Sequence, residues 1–233
     1  MSKAPKRLAI IPARGGSKRI PQKNIAFFHG QPIISYTLNA AKESGLFDLI
    51  HVSTESQLIY EVVRELGYKP DFLRPVELAG DDTPLLPVLK YVVEQFAESG
   101  NLFDEVWILM PCAPLLTMED FVRASKCFDS NGGPILSICE YPAPIEWAYE
   151  KDSCERLSST MRDKVHVRSQ DLGIKYYDAG LFAAYAYEDL MNQSKTGDNF
   201  QFYGVSIDRL RAVDIDNEAD WEYAEKVYEL LKA

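Results

Sequence analysis

The stretch RLAIIPARGGSKRIPQKN, residues 7–24, joins a short apolar segment to a basic loop that contains two glycines. Residues 7–12 form a run of the kind that is buried as a central strand of a parallel sheet. Gly15 and Gly16 follow this run, and ligands of α/β proteins bind beyond the carboxyl ends of such strands. Glycine there lets the backbone approach a ligand closely. The stretch therefore predicts an α/β protein with a ligand site at this loop.

Residues 13–24, which we call the glycine loop, are basic although the chain as a whole is acidic. The loop carries four cations, Arg14, Lys18, Arg19 and Lys23, in a chain with a formal net charge of −10. Backbone N–H groups and cations both stabilise phosphate oxygens, so the loop fits a phosphate-binding turn. A tight turn with solvated basic residues remains the alternative on composition alone. The patterns GxxxxGK[ST] and GxGxxG are absent, so the signatures of P-loop ATPases and Rossmann dehydrogenases are missing.

Strand patterns and amphipathic helix patterns alternate along the chain. The predicted strands are 7–12, 49–54, 105–110, 134–141, 180–187 and 202–208. The predicted helices are 32–45, 55–67, 82–100, 117–128 and 217–233. In the second helix, the spacing of Leu58, Val62 and Leu66 predicts that these residues face the core. The alternation predicts an α/β fold with a mostly parallel central sheet covered by helices on both faces.

Residues 142–177 interrupt this alternation. The segment is polar and contains proline turns, Trp147 and a cluster of cations. We interpret it as an excursion from the sheet and not as a second domain, so that residues 1–233 form a single domain.

Composition and charge narrow the class of protein. Hydrophobic residues make up 46% of the chain, enough for a full core. The acidic balance disfavours nonspecific nucleic-acid binding, which depends on neutralising phosphates. The four cysteines lack CxxC spacing and are expected to be reduced thiols. Because we find no run with the length of a signal sequence or a membrane span, we expect a cytoplasmic protein that does not bind membranes.

Asp214 and Asp216 are candidates for a metal site. Two carboxylates at i and i+2 of an extended segment point to one side, which suits Mg²⁺ bound together with phosphate oxygens. An equal alternative is that the two aspartates are ordinary acids at the start of a helix, since Asn217 and Glu218 follow. The histidines share no metal spacing, and we expect His51, inside a predicted strand, to be a packing residue.

Longer strings show a family resemblance. IPARGGSKRIPQKN resembles the nucleotide-binding signature of the CMP-sugar synthetases, the cytidylyltransferases that activate nine-carbon acidic sugars. Further strings follow in that family's order: LIHVSTES, FLRPVELAGDDT, LMPCAPLL, VRSQDL with YYDAG, and VDIDNEADW. One such string is a weak indication of the family. Six strings in the family's order, along almost the whole chain, are a highly specific indication.

The resemblance implies a three-layer, Rossmann-like nucleotide-diphospho-sugar transferase fold. It implies a reaction in which CTP and a nine-carbon 2-keto sugar acid give a CMP-sugar and pyrophosphate. It also implies Mg²⁺ on Asp214 and Asp216, and a homodimer in which the excursion 142–177 helps line the partner's active site.

Site residues follow from the same resemblance, position by position. The nucleotide-binding positions match Ala13, Arg14, Gly15, Gly16, Ser17, Lys18, Lys23 and Arg74. The substrate-binding positions match Asn24, Arg168, Gln170, Asp171 and Asp178. We expect Lys18, Arg14 and Asp216 to be catalytic, with Lys18 stabilising charge on the reacting phosphate.

Some positions differ from the sequence pattern of the sialic acid synthetases, and these differences bear on the identity of the sugar substrate. Met110 replaces a glutamine of those enzymes, so a polar sugar contact is missing, and Glu55 replaces an aspartate, so its role is unassigned. RSQDL, YYDAG and EYPAPI (140–145) look more like the pseudaminic acid cytidylyltransferases, whose sugar has a 9-deoxy end and two N-acyl groups. N-acetylneuraminic or legionaminic acid remains an alternative substrate. A nucleotide-binding regulatory module without turnover is the alternative from another class.

Overall fold

A computed structural model describes residues 4–193 and 200–232 of the chain. The strands in these ranges are β1 (Arg7–Pro12), β2 (Phe27–Phe28), β3 (Gln31–Pro32), β4 (Leu49–Ser53), β5 (Glu105–Leu109), β6 (Ile135–Glu140), β7 (Tyr149–Lys151), β8 (Leu157–Ser159), β9 (Tyr176–Ala186) and β10 (Tyr203–Ser206). The helices are α1 (Ile34–Ser44), α2 (Gln57–Glu65), α3 (Leu85–Glu98), α4 (Met118–Asn131), α5 (Tyr187–Asn192) and α6 (Glu218–Lys232). Ala233, which ends the predicted helix 217–233, lies outside the described residues.

The central sheet has the strand order β10-β6-β9-β5-β1-β4. β1 pairs in parallel with β4 on one side and with β5 on the other. β10 is parallel to β6, whereas the long β9 runs antiparallel between β5 and β6. The sheet is therefore mostly parallel, as the sequence predicts, with one strand reversed.

β1 is buried on both faces, which explains its uninterrupted apolar sequence. Because successive side chains point to opposite faces, Leu8 and Ile10 pack in the core cluster that includes α3. Ala9 and Ile11 pack in the cluster on the other face, with α1, α2 and α4. Helices thus cover both faces of the sheet, and the predicted three-layer arrangement is confirmed.

The core face of α2 differs from the prediction. Ile59 and Val63 are buried, whereas Leu58 is 49% exposed. Val62 and Leu66 lie at the edge of the core. Apolar residues occupy two adjacent stripes of this helix, and the β-branched stripe faces the sheet, so the prediction that Leu58 faces the core is wrong.

The excursion leaves the sheet after β6 and returns at β9. β7 and β8 pair in it as an antiparallel hairpin, with Tyr149 opposite Ser159. The backbone N–H of Tyr141 donates to the carbonyl of Lys175 at 3.0 Å, which closes the neck of the excursion. Residues 176 and 177 of the predicted 142–177 segment already belong to β9.

The carboxyl ends of β1, β4 and β5 meet at one edge of the sheet, because these strands are parallel neighbours. The glycine loop follows β1 at this edge. Across the described ranges, no helix is both long enough and apolar enough to cross a bilayer.

Candidate active site

A cavity of about 280 Å³ lies at the carboxyl edge of the sheet. It brings together eight of the residues that the sequence predicts for the site: Arg14, Ser17, Lys18, Lys23, Asn24, Arg74, Asp214 and Asp216. These residues come from the glycine loop, from the segment between α2 and α3, and from the segment before α6. The cavity therefore gathers both predicted groups, the cations and the aspartate pair, in one place.

The backbone of the glycine loop is held by the end of β4 and the residues after it. The N–H of Ala13 donates to the carbonyl of Ser53 at 2.9 Å, and the N–H of Gly15 donates to Glu55 Oε1 at 2.6 Å. A Cβ at residue 15 would lie 3.0 Å from the Cβ of Ser56, whereas one at Gly16 would meet open space. The close approach of Ser56 therefore favours glycine at position 15.

Glu55 links this backbone to Arg74. Arg74 Nη2 donates to Glu55 Oε2 at 2.8 Å, and only 4% of the Arg74 side chain is exposed. Burial raises the pKa of Glu55, but the hydrogen bonds from Arg74 and Gly15 outweigh it and hold the pKa below its usual value. Arg74 Nε is buried and has no hydrogen-bond partner among the described residues. Glu55, which the sequence analysis leaves unassigned, is therefore the counter-ion of a cation in the cavity wall.

Arg14 and Lys18 contact the same carboxylate. Arg14 Nη1 lies 2.5 Å from Asp81 Oδ1, and Lys18 Nζ pairs with Asp81 Oδ2. The hydrogen bond and the charge of Asp81 raise the pKa of Lys18. The hydrogen bonds from Lys18 and Arg14 lower the pKa of Asp81. Sequence reasoning did not single out Asp81, although it lies in the family-like string FLRPVELAGDDT.

The other two cations of the loop reach the segment before α6. Lys23 Nζ donates to the carbonyl of Ile215 and lies 3.4 Å from Asp216 Oδ1. Arg19 Nη2 lies 2.9 Å from the same carboxylate oxygen. Asp216 is therefore fixed against the glycine loop.

Asp214 and Asp216 point to the same side of an extended segment, as their spacing predicts. Val213 and Ile215 alternate with them and are buried. Gly180 has φ +65°, and a Cβ there would lie 2.9 Å from Asp214 Oδ2, so this glycine leaves room for the carboxylate. Burial and the negative charge of Asp216 raise the pKa of Asp214.

The aspartate pair fits Mg²⁺ by its chemistry. Within residues 4–193 and 200–232, no three His, Cys, Asp or Glu side chains group as a metal cage. Mg²⁺ needs only one or two carboxylates when phosphate oxygens and water complete its shell. Two carboxylates that line one cavity supply that donor set.

Asn24, the last residue of the glycine loop, holds the backbone of the loop itself. It is buried, its Nδ2 donates to the carbonyl of Arg14 at 2.9 Å, and its Oδ1 accepts from Cys112 Sγ at 3.2 Å. Burial raises the pKa of the Cys112 thiol to about 12, so the thiol keeps its proton and remains a donor. The structure therefore gives Asn24, predicted as a substrate contact, a role in holding the loop.

A second cavity, of about 320 Å³, adjoins the first, and Leu85, Met110 and Asp214 line both. Asp178 lines the second cavity and accepts the N–H of Gly180 at 2.8 Å. The rest of this lining is mainly apolar and aromatic. Asp178 is thus placed next to the aspartate pair.

Arg168, Gln170 and Asp171 are not brought to either cavity within one chain. They lie in the excursion and are exposed. Arg168 Nε lies 3.2 Å from Asp171 Oδ2.

A mostly parallel sheet that ends in a cavity lined by cations and paired aspartates fits the class of α/β proteins that bind nucleotide phosphates. The family model described as Cytidylyltransferase matches residues 8–98. The chain is 34% identical to the pseudaminic acid cytidylyltransferase of Campylobacter jejuni, over 97% of both chains. The chain belongs to the cytidylyltransferase family, so the resemblance found in the sequence is confirmed.

Two further similarities agree with this family. The chain is 28% identical to the CMP-N,N'-diacetyllegionaminic acid synthase of Legionella pneumophila, over 96% of both chains. A solved structure of CMP:2-keto-3-deoxy-manno-octonic acid synthetase complexed with CTP superposes with a TM-score of 0.71. At 16% identity, over 97% of this chain and 99% of that one, this structure confirms the Rossmann-like fold.

Proposed function

We propose that the protein transfers CMP from CTP to the anomeric hydroxyl of pseudaminic acid and releases pyrophosphate. The anomeric oxygen forms a bond to the α-phosphorus while the bond from the α-phosphorus to the pyrophosphate oxygen breaks. The hydroxyl proton is released to solvent. The observation that carries this proposal is that the glycine-loop cations and the Asp214–Asp216 pair open onto one cavity. The relative named for pseudaminic acid, which matches over almost the full length, supports the choice of sugar.

The cations of the glycine loop have the role of stabilising phosphate charge. Negative charge builds on the leaving pyrophosphate, and fixed cations stabilise it more in the transition state than in the ground state. The Lys18 side chain is 78% exposed and pairs with Asp81, whereas Lys23 is held by Ile215 and Asp216. Asp214 and Asp216 would hold Mg²⁺, which would neutralise phosphate charge and align the triphosphate.

Asp216→Asn tests the metal role. The variant keeps the shape of the side chain but removes an anionic oxygen ligand, so activity should need more Mg²⁺. The measurement is turnover against Mg²⁺ concentration for the variant and the wild type. An unchanged half-saturation and maximum rate would make Asp216 only an anchor for the glycine loop.

The second cavity supports a sugar with few hydroxyls. It adjoins Asp214, is lined mainly by apolar and aromatic side chains, and has Met110 at its junction with the first cavity. Such walls suit methyl and acyl groups better than hydroxyls. Legionaminic acid is the second candidate, because of the Legionella pneumophila relative.

A homodimer with shared sites is part of the proposal. The excursion exposes apolar side chains in the single chain, among them Tyr149, Leu157 and Ile174. An exposed apolar surface of this kind suits a contact with a second copy. Arg168, which lies outside its own chain's cavities, would then grip the sugar carboxylate in the partner's site.

Competition between sugars tests this function. Equal amounts of pseudaminic, legionaminic and N-acetylneuraminic acid are offered together with CTP and Mg²⁺, and the CMP-sugars are separated by mass and chromatography. We expect CMP-pseudaminic acid to form fastest. A preference for N-acetylneuraminic acid would contradict the proposed substrate. Tight CTP binding with no product from any sugar would favour a regulatory module.

A further inference from the structure

Asp81 places an anion of the protein itself on two cations of the nucleotide cavity. Arg14 Nη1 lies 2.5 Å from one of its carboxylate oxygens, and Lys18 pairs with the other. All three residues line the same cavity. A phosphate group that uses these cations must therefore compete with Asp81.

The turn that carries Asp81, residues 79–84, is held to the glycine loop by this carboxylate. Its backbone hydrogen bonds are local, from Ala79 N to the carbonyl of Val76 and from Thr83 N to the carbonyl of Gly80. In the part of the chain that the structure describes, the ion pairs between this turn and the glycine loop all run through Asp81.

The contacts of Asp81 with Arg14 and Lys18 can exchange, because the side chains that form them are exposed to water. The side chains of Asp81 and Lys18 are 38% and 78% exposed. Water can replace either partner in such a pair, and surface ion pairs are weak for this reason. The low pKa of Asp81 keeps it an anion at neutral pH.

We propose that Asp81 is an exchangeable counter-ion of the nucleotide site, which occupies Arg14 and Lys18 until nucleotide phosphates displace it. This inference rests on the proposed function, because it takes these two cations to bind the triphosphate. On binding, the cations exchange a carboxylate for phosphate oxygens, and the turn 79–84 moves away from the glycine loop. When pyrophosphate leaves, the carboxylate returns. Asp81 thus lowers the affinity of the site for CTP and for pyrophosphate, and assists product release.

Calorimetric titration of CTP and of inorganic pyrophosphate, with Mg²⁺ present, tests this proposal. The proteins are the wild type, Asp81→Asn, Asp81→Ser and the matched control Asp82→Asn, which changes the net charge equally at an exposed neighbour. Both Asp81 variants should bind the two ligands roughly threefold to tenfold more tightly than the wild type, the scale of releasing exposed ion pairs. The control should stay within about twofold.

The outcomes separate this inference from the proposed function. Equal changes in the Asp81 variants and in Asp82→Asn would show an effect of net charge alone and overturn the inference. Weaker binding in the Asp81 variants would overturn it too, because Asp81 would then help to hold the ligand. If the wild type binds neither CTP nor pyrophosphate, the proposed function fails and this inference fails with it.

Discussion

Glu55 connects two parts of the first cavity that lie elsewhere in the sequence. Its carboxylate accepts from the backbone of Gly15, 40 residues away, and from the guanidinium of Arg74, 19 residues away. The side chains of Arg74 and Glu55 are only 4% and 14% exposed. Glu55 therefore fixes the glycine loop and the cavity wall relative to each other.

Glu55→Gln should destabilise the protein. The amide keeps the shape but removes the counter-charge of the buried Arg74 cation, so the free energy of unfolding should fall by roughly 3–5 kcal/mol. Urea unfolding at neutral pH measures this. Glu222→Gln, which breaks an exposed pair with Lys226, should cost less than about 1 kcal/mol. Equal losses in both variants would contradict the role of Glu55.

Lys18→Ala tests the stabilisation of phosphate charge. Turnover should fall by about two to three orders of magnitude, the usual scale for removing one electrostatic stabiliser. The melting temperature should not change, because an exposed cation adds little stability. Steady-state turnover and thermal melting are compared with Lys126→Ala, an exposed lysine on α4. Near-normal turnover in Lys18→Ala would remove Lys18 from the catalytic set.

The predicted site residues that line the cavity lie in contiguous strings of the sequence. The glycine loop and the Asp214–Asp216 pair are assigned to one site by the family resemblance, because local spacing does not encode their convergence. Glu55 and Asp81 could not be assigned, because their partners are set by the fold. Asp81 meets Arg14 across 67 residues of chain, and no local pattern encodes that contact.

At the scale of elements, β4 carries a buried histidine. The ring of His51 packs against Phe72 and Phe96, with ring centroids 4.5 and 5.3 Å away, which confirms the predicted packing role. Its Nδ1 lies 3.2 Å from Asp71 Oδ2. Burial lowers the pKa of His51 below its ordinary value of 6.5, although Asp71 opposes this shift. The imidazole is thus neutral in the folded protein at neutral pH.

This burial predicts a loss of stability in acid. Below pH 6.5 the histidine of the unfolded chain gains a proton that the folded protein does not bind, so the free energy of unfolding falls as pH falls. Above pH 6.5 the contribution of the buried His51 to the free energy of unfolding is fully present. Urea unfolding at pH 7.5 and 5.5 should show a smaller acid loss in His51→Gln than in the wild type. The exposed His166→Gln should behave as the wild type, and an unchanged loss in His51→Gln would contradict the account.

Most elements could be predicted from periodicity, but the direction of β9 could not. A strand buried on both faces has the same apolar pattern whether it runs parallel or antiparallel. The connection sets the direction of β9, because the excursion brings the chain back beside β6 with Tyr177 opposite Cys139.

The buried stripe of α2 could not be predicted for a related reason. Two adjacent apolar stripes share one period, and packing against the sheet selects Ile59 and Val63.

At the scale of the whole molecule, a single chain does not explain the position and the exposed surface of the excursion 142–177. It carries three of the predicted substrate residues, Arg168, Gln170 and Asp171, away from their own cavity. It also exposes apolar side chains. A second copy of the chain would account for both features.

Mixing two inactive variants tests the shared site. In a heterodimer of Lys18→Ala with Arg168→Ala, one site receives both defects and the other receives none. Random exchange should therefore restore about a quarter of the wild-type activity. Mass-tagged chains show whether exchange has occurred. Variants that exchange subunits but stay inactive, or a protein that sediments as a monomer, would contradict the shared site.

The most direct test of the central claim follows the phosphorus atoms of CTP. Phosphorus NMR is recorded while the protein acts on CTP, Mg²⁺ and pseudaminic acid. The account predicts that the α-phosphorus appears in a phosphodiester to the anomeric carbon, with one pyrophosphate formed for each CTP consumed. Unchanged CTP, or CMP formed by hydrolysis without attachment to the sugar, would contradict it.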